Sequence, residues 1–190
     1  NLNKGIFLGQ KSDPNIIDKK IPLIFKNLKF DKCFSSPSKR CVESCRLVCK
    51  EKNITINDYL KEIDYGDAEN LSLKKFGKKY PKILNMWSTG KDPKFPGGES
   101  TSDVLFRLKK FISTKIKSAL FKKNKKILIL THNVVLRCLI GNIFRIKMRD
   151  WFMININYFE LLEFNLNKNN LRPNINRSKF YTMFKQIYLK

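Results

Sequence analysis

The sequence predicts an α/β fold with a mainly parallel sheet. Lys126-Ile-Leu-Ile-Leu-Thr is apolar on both faces, the pattern of a strand covered by helices on either side. Lys32 to Ser35 reads as a second short strand, ending in the turn Ser35-Ser36-Pro37 and running straight into a helix. Around these two segments strand patterns alternate with helical ones, as a parallel sheet requires.

Residues 1–15 read as a polar loop punctuated by Gly5, Gly9 and Asp13-Pro14, with a short helical segment expected from Ile17 to Leu28. Ser38 is placed to cap a helix that continues to about Lys50, with Val42, Cys45 and Cys49 on one face. Thr55 to Lys61 looks extended, Tyr65 to Ser72 is a loop, and Tyr80 to Trp87 a short helix. After the turn-rich stretch Ser88 to Gly98, Ser100 opens the strongest helix, its stripe being Val104, Leu108, Phe111, Ile112, Ile116 and Leu120. Ser100 and Asp103 have capping-box spacing. Val134 to Phe144 reads as a helix. Phe159 to Phe164 and Leu171 to Ile175 read as a closing pair of strands around a turn at Asn167 to Asn170, before a basic, aromatic tail at 177–190.

A chain of 190 residues fits one domain, taken here as 1–190, and can bury a real core. No apolar run approaches the length of a membrane span, and Asn1 to Gln10 lacks the apolar core of a secretory leader. The net charge of +23 would suit nucleic acid, yet lysine is spread along the whole chain, whereas a nucleic-acid footprint concentrates on one face. A positive field spread in this way points to an anionic small molecule rather than nucleic acid as the partner. Five cysteines, an odd number, argue for free thiols in a reducing, cytoplasmic setting. Cys41, Cys45 and Cys49 lie four apart, but zinc-type spacing is missing and the single histidine is distant. Small buried side chains on a helix face are expected there, and no metal.

Four local patterns bear on chemistry. Phe34-Ser35-Ser36-Pro37-Ser38-Lys39-Arg40 places an Arg and helix-start amides at a strand end, which suits an anion. Thr131-His132-Asn133 follows the buried strand, where open α/β sheets bind ligands. Glu62-Ile63-Asp64-Tyr65-Gly66, followed by Glu69, offers carboxyls that burial could tune into a general acid. Pro96-Gly97-Gly98-Glu99-Ser100 reads as a turn plus a helix cap.

In this order, Ser-Ser-Pro-x-x-Arg, Glu-x-x-x-Gly, Pro-Gly-Gly-Glu-Ser and a strand ending in Thr-His, the four resemble the histidine phosphatase superfamily of phosphoglycerate mutases and phosphatases. The resemblance runs from Asn1 to about Phe164 and includes the helix that follows His132. It implies a three-layer α/β/α sandwich, a phosphorylated small-molecule substrate, no cofactor and a phosphohistidine intermediate. It further implies that Arg40 binds phosphate, that His132 stabilises the transition state, and that Glu62 protonates the leaving oxygen, with Asp64 and Glu69 as fallbacks. Asn3, Gly9 and Asn133 would complete the phosphate site. The family opens with an apolar strand and Arg-His-Gly, whose His is the nucleophile. Asn1-Leu2-Asn3 fits the end of that motif, so the first strand and the nucleophile are expected to be absent from these 190 residues, and the fragment inactive. The separation of Glu62 and His132 leans toward a phosphatase. A mutase, or a non-catalytic anion- or nucleic-acid-binding module, is the alternative. Substrate identity and oligomeric state are left open.

Overall fold

The computed structural model describes residues 5–16, 20, 23–25, 27–49, 54–116, 126–157, 160–167 and 170–173. Its principal sheet has three parallel strands in the order β2-β1-β3: β1 (Lys32–Ser35), β2 (Ile54–Ile56) and β3 (Ile127–Leu130). β1 is central, with Cys33 opposite both Ile54 and Leu128, and Ser35 opposite both Ile56 and Leu130. All three strands therefore end on the same side. The Ser36 amide extends the ladder to the Leu130 carbonyl at 3.0 Å, which brings the residues after β1 next to those after β3.

Successive β1 side chains point to opposite faces, and this splits the core in two. Cys33 faces α1 (Lys39–Cys49) and packs with Cys45, Val48, Phe25 and Leu128. Phe34 faces α4 (Thr101–Phe111) and α5 (Asn133–Ile143), among Val104, Leu108, Val135 and Cys138, its ring edge-on to Phe111 at 5.2 Å. Burying a side chain such as Phe34 contributes roughly 1.5–3 kcal/mol. Helices on both faces of one sheet make the expected α/β/α layering. Asp103 and Ser100 form the anticipated capping box at the start of α4.

Several elements differ from expectation. α2 (Leu73–Lys79) has no counterpart in the sequence reading, because it buries only Phe76 and carries Gly77 and four lysines. A Cβ at Gly77 would meet Leu84 at 2.8 Å, so the glycine lets α3 (Pro81–Ser88) pack closely. The segment expected to be extended after Thr55 keeps only β2. Asn57 then accepts from the Tyr59 amide and starts a 3-10 turn, Asp58–Leu60. Of the helix expected at Ile17 to Leu28, the described residues contain one 3-10 turn, Leu23–Phe25. The helix from Ser100 leaves α geometry at Ile112–Ile116, a π turn. The closing hairpin is β4 (Phe164–Asn167) and β5 (Asn170–Pro173), with Asn167 paired to Asn170, so the strands reach inward through residues read as turn.

The thiols are not all free. Cys33 and Cys49 form a disulfide, because β1 and the last turn of α1 turn their cysteines into the same core. The premise of five free thiols is thereby corrected; Cys41, Cys45 and Cys138 remain free and buried. The basic tail at 177–190 lies outside the described residues. Among the described residues no helix is long and apolar enough to cross a membrane.

Candidate active site

The adjacent carboxyl ends of β1 and β3 floor a pocket of about 240 Å³, walled by the loop at Gly9 to Asp13, the start of α1 and the Lys61-Glu62 pair. Two cations, Arg40 and Lys61, and two carboxyls, Asp13 and Glu62, line it together with His132. Among the described residues no group of three metal-ligating side chains converges on this pocket.

His132 precedes the first turn of α5 and is 7% exposed. Nη2 of Arg40 lies 3.3 Å from its Nδ1. A guanidinium only donates, so Nδ1 is the acceptor and Nε2 carries the proton. Nε2 then donates to Ser36 Oγ at 2.8 Å, with Ser38 Oγ at 3.4 Å. Burial, reinforced by Arg40 and Arg107, pulls the His132 pKa down to about 3, so the ring is neutral at physiological pH. Cys41 packs its sulphur 3.5 Å from Nε2. Burial pushes that thiol up to about 11, which leaves it a neutral neighbour rather than a nucleophile.

Arg40, on the first turn of α1, is held by backbone and by charge. It donates to the carbonyls of Gly9 at 3.0 Å and Ser12 at 3.2 Å, and pairs with Asp13 at 3.3 Å. The other oxygen of Asp13 accepts from the Lys39 amide at 2.7 Å. Asp13 thus caps α1 from a distant loop, a role the sequence assigned to Ser38. The Ser38 hydroxyl points to His132 instead.

Glu62 is 7% exposed, and burial raises its pKa to about 7 despite bonds from the Ile63 and Val134 amides. Its loop is braced by the Pro-Gly-Gly-Glu-Ser turn. Glu99 accepts from the Asp64 amide at 3.0 Å, and the Glu99 amide donates to the Asp64 carbonyl at 2.8 Å. Gly66, with φ +52°, lies so close to the Pro96 carbonyl and the Gly97 and Gly98 backbone that any Cβ would clash. Arg107 grips Glu99 with Nε and Nη2 at 2.9 and 3.1 Å, and also donates to the carbonyls of Tyr59 and Glu62.

Of the residues singled out in the sequence, Arg40, Glu62, His132 and Gly9 meet at the pocket. Gly9 donates its amide to Glu69 at 2.9 Å, and Ser12 does so at 3.2 Å, so Glu69 anchors the loop from behind. Asp64 accepts from Gly66 and is spent on its own turn. Asn133 does not join the site: it is exposed and donates to the Ile156 carbonyl at 3.1 Å, because the first helical position after His132 turns away from the pocket. Asn3 lies outside the described residues. Sequence reasoning missed Ser36, Asp13, Lys61 and Arg107. The Ser-Ser-Pro motif contained Ser36, but nothing local signals a cap 26 residues away.

The family model of the histidine phosphatase superfamily (branch 1) matches residues 20–175. The chain belongs to this superfamily. A 2,3-bisphosphoglycerate-dependent phosphoglycerate mutase of Cytophaga hutchinsonii is 29% identical over 133 residues, 67% of this chain and 62% of that protein. Phosphoserine phosphatase 1 of Hydrogenobacter thermophilus is 28% identical over 114 residues, 57% of this chain and 52% of that protein. This histidine phosphatase chain therefore spans between half and two thirds of the length of these two relatives. Its fold is shared with the alpha-ribazole phosphatase of Shigella flexneri, at TM-score 0.71 and 18% identity, covering 92% of this chain and 89% of that one.

Proposed function

We propose that this histidine phosphatase domain serves phosphomonoester hydrolysis through a phosphohistidine intermediate, and that Arg40, His132 and Glu62 are its phosphoryl-transfer residues. The observation that carries the proposal is their convergence: a fixed guanidinium, a neutral Nε2–H imidazole and a carboxyl with its pKa raised to about 7 border one pocket at the strand ends. Arg40 would neutralise the equatorial phosphoryl oxygens, with the α1 start adding amide donors. His132 Nε2–H, which bonds Ser36, would turn to a phosphoryl oxygen and stabilise charge without itself titrating. Glu62, protonated about half the time near neutral pH, would give its proton to the leaving oxygen and later take one from water.

The covalent step needs a second imidazole, and His132 is the one histidine in the 190 residues. Among the described residues β3 pairs only with β1, and Ile129 on it is 37% exposed, which leaves an edge where a further parallel strand would fit. The test compares this chain with one extended at its amino end by a strand followed by Arg-His-Gly. Acid-labile labelling and turnover of phosphate esters by the extended chain alone support the proposal. Equal turnover by the 190 residues, or none by either, overturns it.

The phosphoglycerate mutase match favours a second reading, transfer of the phosphoryl group to another substrate oxygen. Isomerisation of phosphoglycerate without release of inorganic phosphate by the extended chain would select it over hydrolysis.

A further inference from the structure

Further along α1 from the pocket, the Cys33–Cys49 disulfide and the Cys45 thiol bring three sulphurs into a cluster that phosphoryl transfer does not use. Cys45 and Cys49 lie one helical turn apart on the face of α1 that meets the sheet, and Cys33 reaches them from β1. Their sulphurs all lie within 4.8 Å of one another, and Cys45 is 3.8 Å from Cys49. Cys33 is 2% exposed and Cys45 fully buried, with Phe25, Val48 and Leu128 packed around them.

We infer that, once the Cys33–Cys49 bond is reduced, Cys33, Cys45 and Cys49 form a three-thiolate site for a thiophilic d10 cation, Cu(I) in preference to Zn(II). Two sulphurs bound to one such ion at about 2.3 Å stand about 3.8 Å apart at a tetrahedral angle and about 4.0 Å apart at a trigonal one, so the 3.8 Å between Cys45 and Cys49 puts both within reach of a single ion. Thiolate ligands select soft ions. Zn(II) asks for a fourth ligand. Among the described residues the cluster includes no histidine or carboxylate, and the apolar lining excludes water, so three-coordinate Cu(I) fits best.

A dithiol gives two electrons and two protons and closes to its own disulfide, whereas a phosphine gives two electrons and leaves as its oxide, with water supplying the oxygen and the two protons; either way Cys33 and Cys49 return as thiols. Binding then releases a proton from each of the three sulphurs.

The test titrates the full, phosphine-reduced chain with Cu(I), anaerobically, against a chromophoric Cu(I) chelator, and in parallel with Zn(II). The expected result is one Cu(I) held per chain, luminescent as a water-shielded thiolate centre, with Zn(II) bound more weakly. Cys45→Ser loses this binding and Cys138→Ser, a buried thiol outside the cluster, keeps it. Chain left with Cys33 and Cys49 joined binds none. Cys45→Ser binding as the unaltered chain does, or Zn(II) binding more tightly than Cu(I), overturns the inference. X-ray absorption at the copper edge of the loaded wild-type chain must show three sulphur neighbours, which tests the site even if Cys45→Ser fails to fold. Nitrogen or oxygen neighbours, or no retained Cu(I), refute it.

Discussion

Arg40 and Asp13 face each other at the amino end of α1, Nη1 3.3 Å from Oδ1, while the other Asp13 oxygen takes the Lys39 amide at 2.7 Å. The carboxylate thus sits on two donors that a phosphoryl group would use. Asp13→Asn keeps a capping oxygen and removes the charge. Phosphate binding by calorimetry should tighten about three- to tenfold, the partly exposed carboxylate being screened. Asp13→Ala also loses the cap and should destabilise the fold by about 1 kcal/mol. Weaker phosphate binding by Asp13→Asn would mean that the carboxylate chiefly positions Arg40.

Opposed titrations of Glu62 and His132 make a sharper test. The Glu62 pKa rises on folding from 4.5 to about 7, so its contribution is complete below pH 4.5 and is lost as pH climbs toward 7. The His132 pKa falls from 6.5 to about 3, so its contribution is complete above pH 6.5 and is lost as pH drops toward 3. Between pH 4.5 and 6.5 the two slopes cancel. Denaturant unfolding should show Glu62→Gln gaining roughly 3 kcal/mol across that window and His132→Asn losing about as much, at about 1.4 kcal/mol per pH unit. Parallel curves for the two variants would show that the groups are less buried than the geometry states.

The order of motifs made most of this site legible. Arg40 and His132 each follow a buried strand, and strands of a parallel sheet end together, so their meeting is a consequence of topology. Glu62 was legible only through the resemblance, because its high pKa arises from burial among distant residues. Asp13 capping α1 and Cys33 meeting Cys49 are contacts across 26 and 16 residues that no local pattern encodes. Asn133 was misplaced because a helix start rotates each successive side chain by about 100°, and His132 takes the direction of the pocket.

Gly9 has no positive φ, yet it leaves no room for a side chain. A Cβ there would meet Glu69 Oε2 at 2.6 Å, the Ile63 carbonyl at 2.7 Å and the Tyr65 ring at 2.8 Å. Gly9→Ala should therefore cost about 1–3 kcal/mol by overpacking and push the loop off Arg40, which bonds the Gly9 carbonyl. Phosphate affinity and thermal stability should fall together. Glu69→Gln opens no space, and Glu69→Ala relieves one of the three clashes while removing the acceptor of the Gly9 and Ser12 amides, so neither should rescue Gly9→Ala.

Arg107 never touches the pocket, yet it holds the loop that presents Glu62 by bonding Glu99, the Tyr59 carbonyl and the Glu62 carbonyl at once. The Glu99 pair is largely buried, with side chains 12% and 23% exposed, so breaking it strands a carboxylate. Arg107→Ala should destabilise by about 3 kcal/mol, and Arg107→Lys by less, since an ammonium cannot reproduce the forked grip. Removing the guanidinium also removes a charge that holds the Glu62 pKa down, so that pKa should move up from about 7. In a chain competent for turnover, the limb of the pH profile governed by Glu62 should shift alkaline in Arg107→Lys, whose displaced cation screens Glu62 less well. An unshifted limb with lowered stability would assign Arg107 to the fold alone.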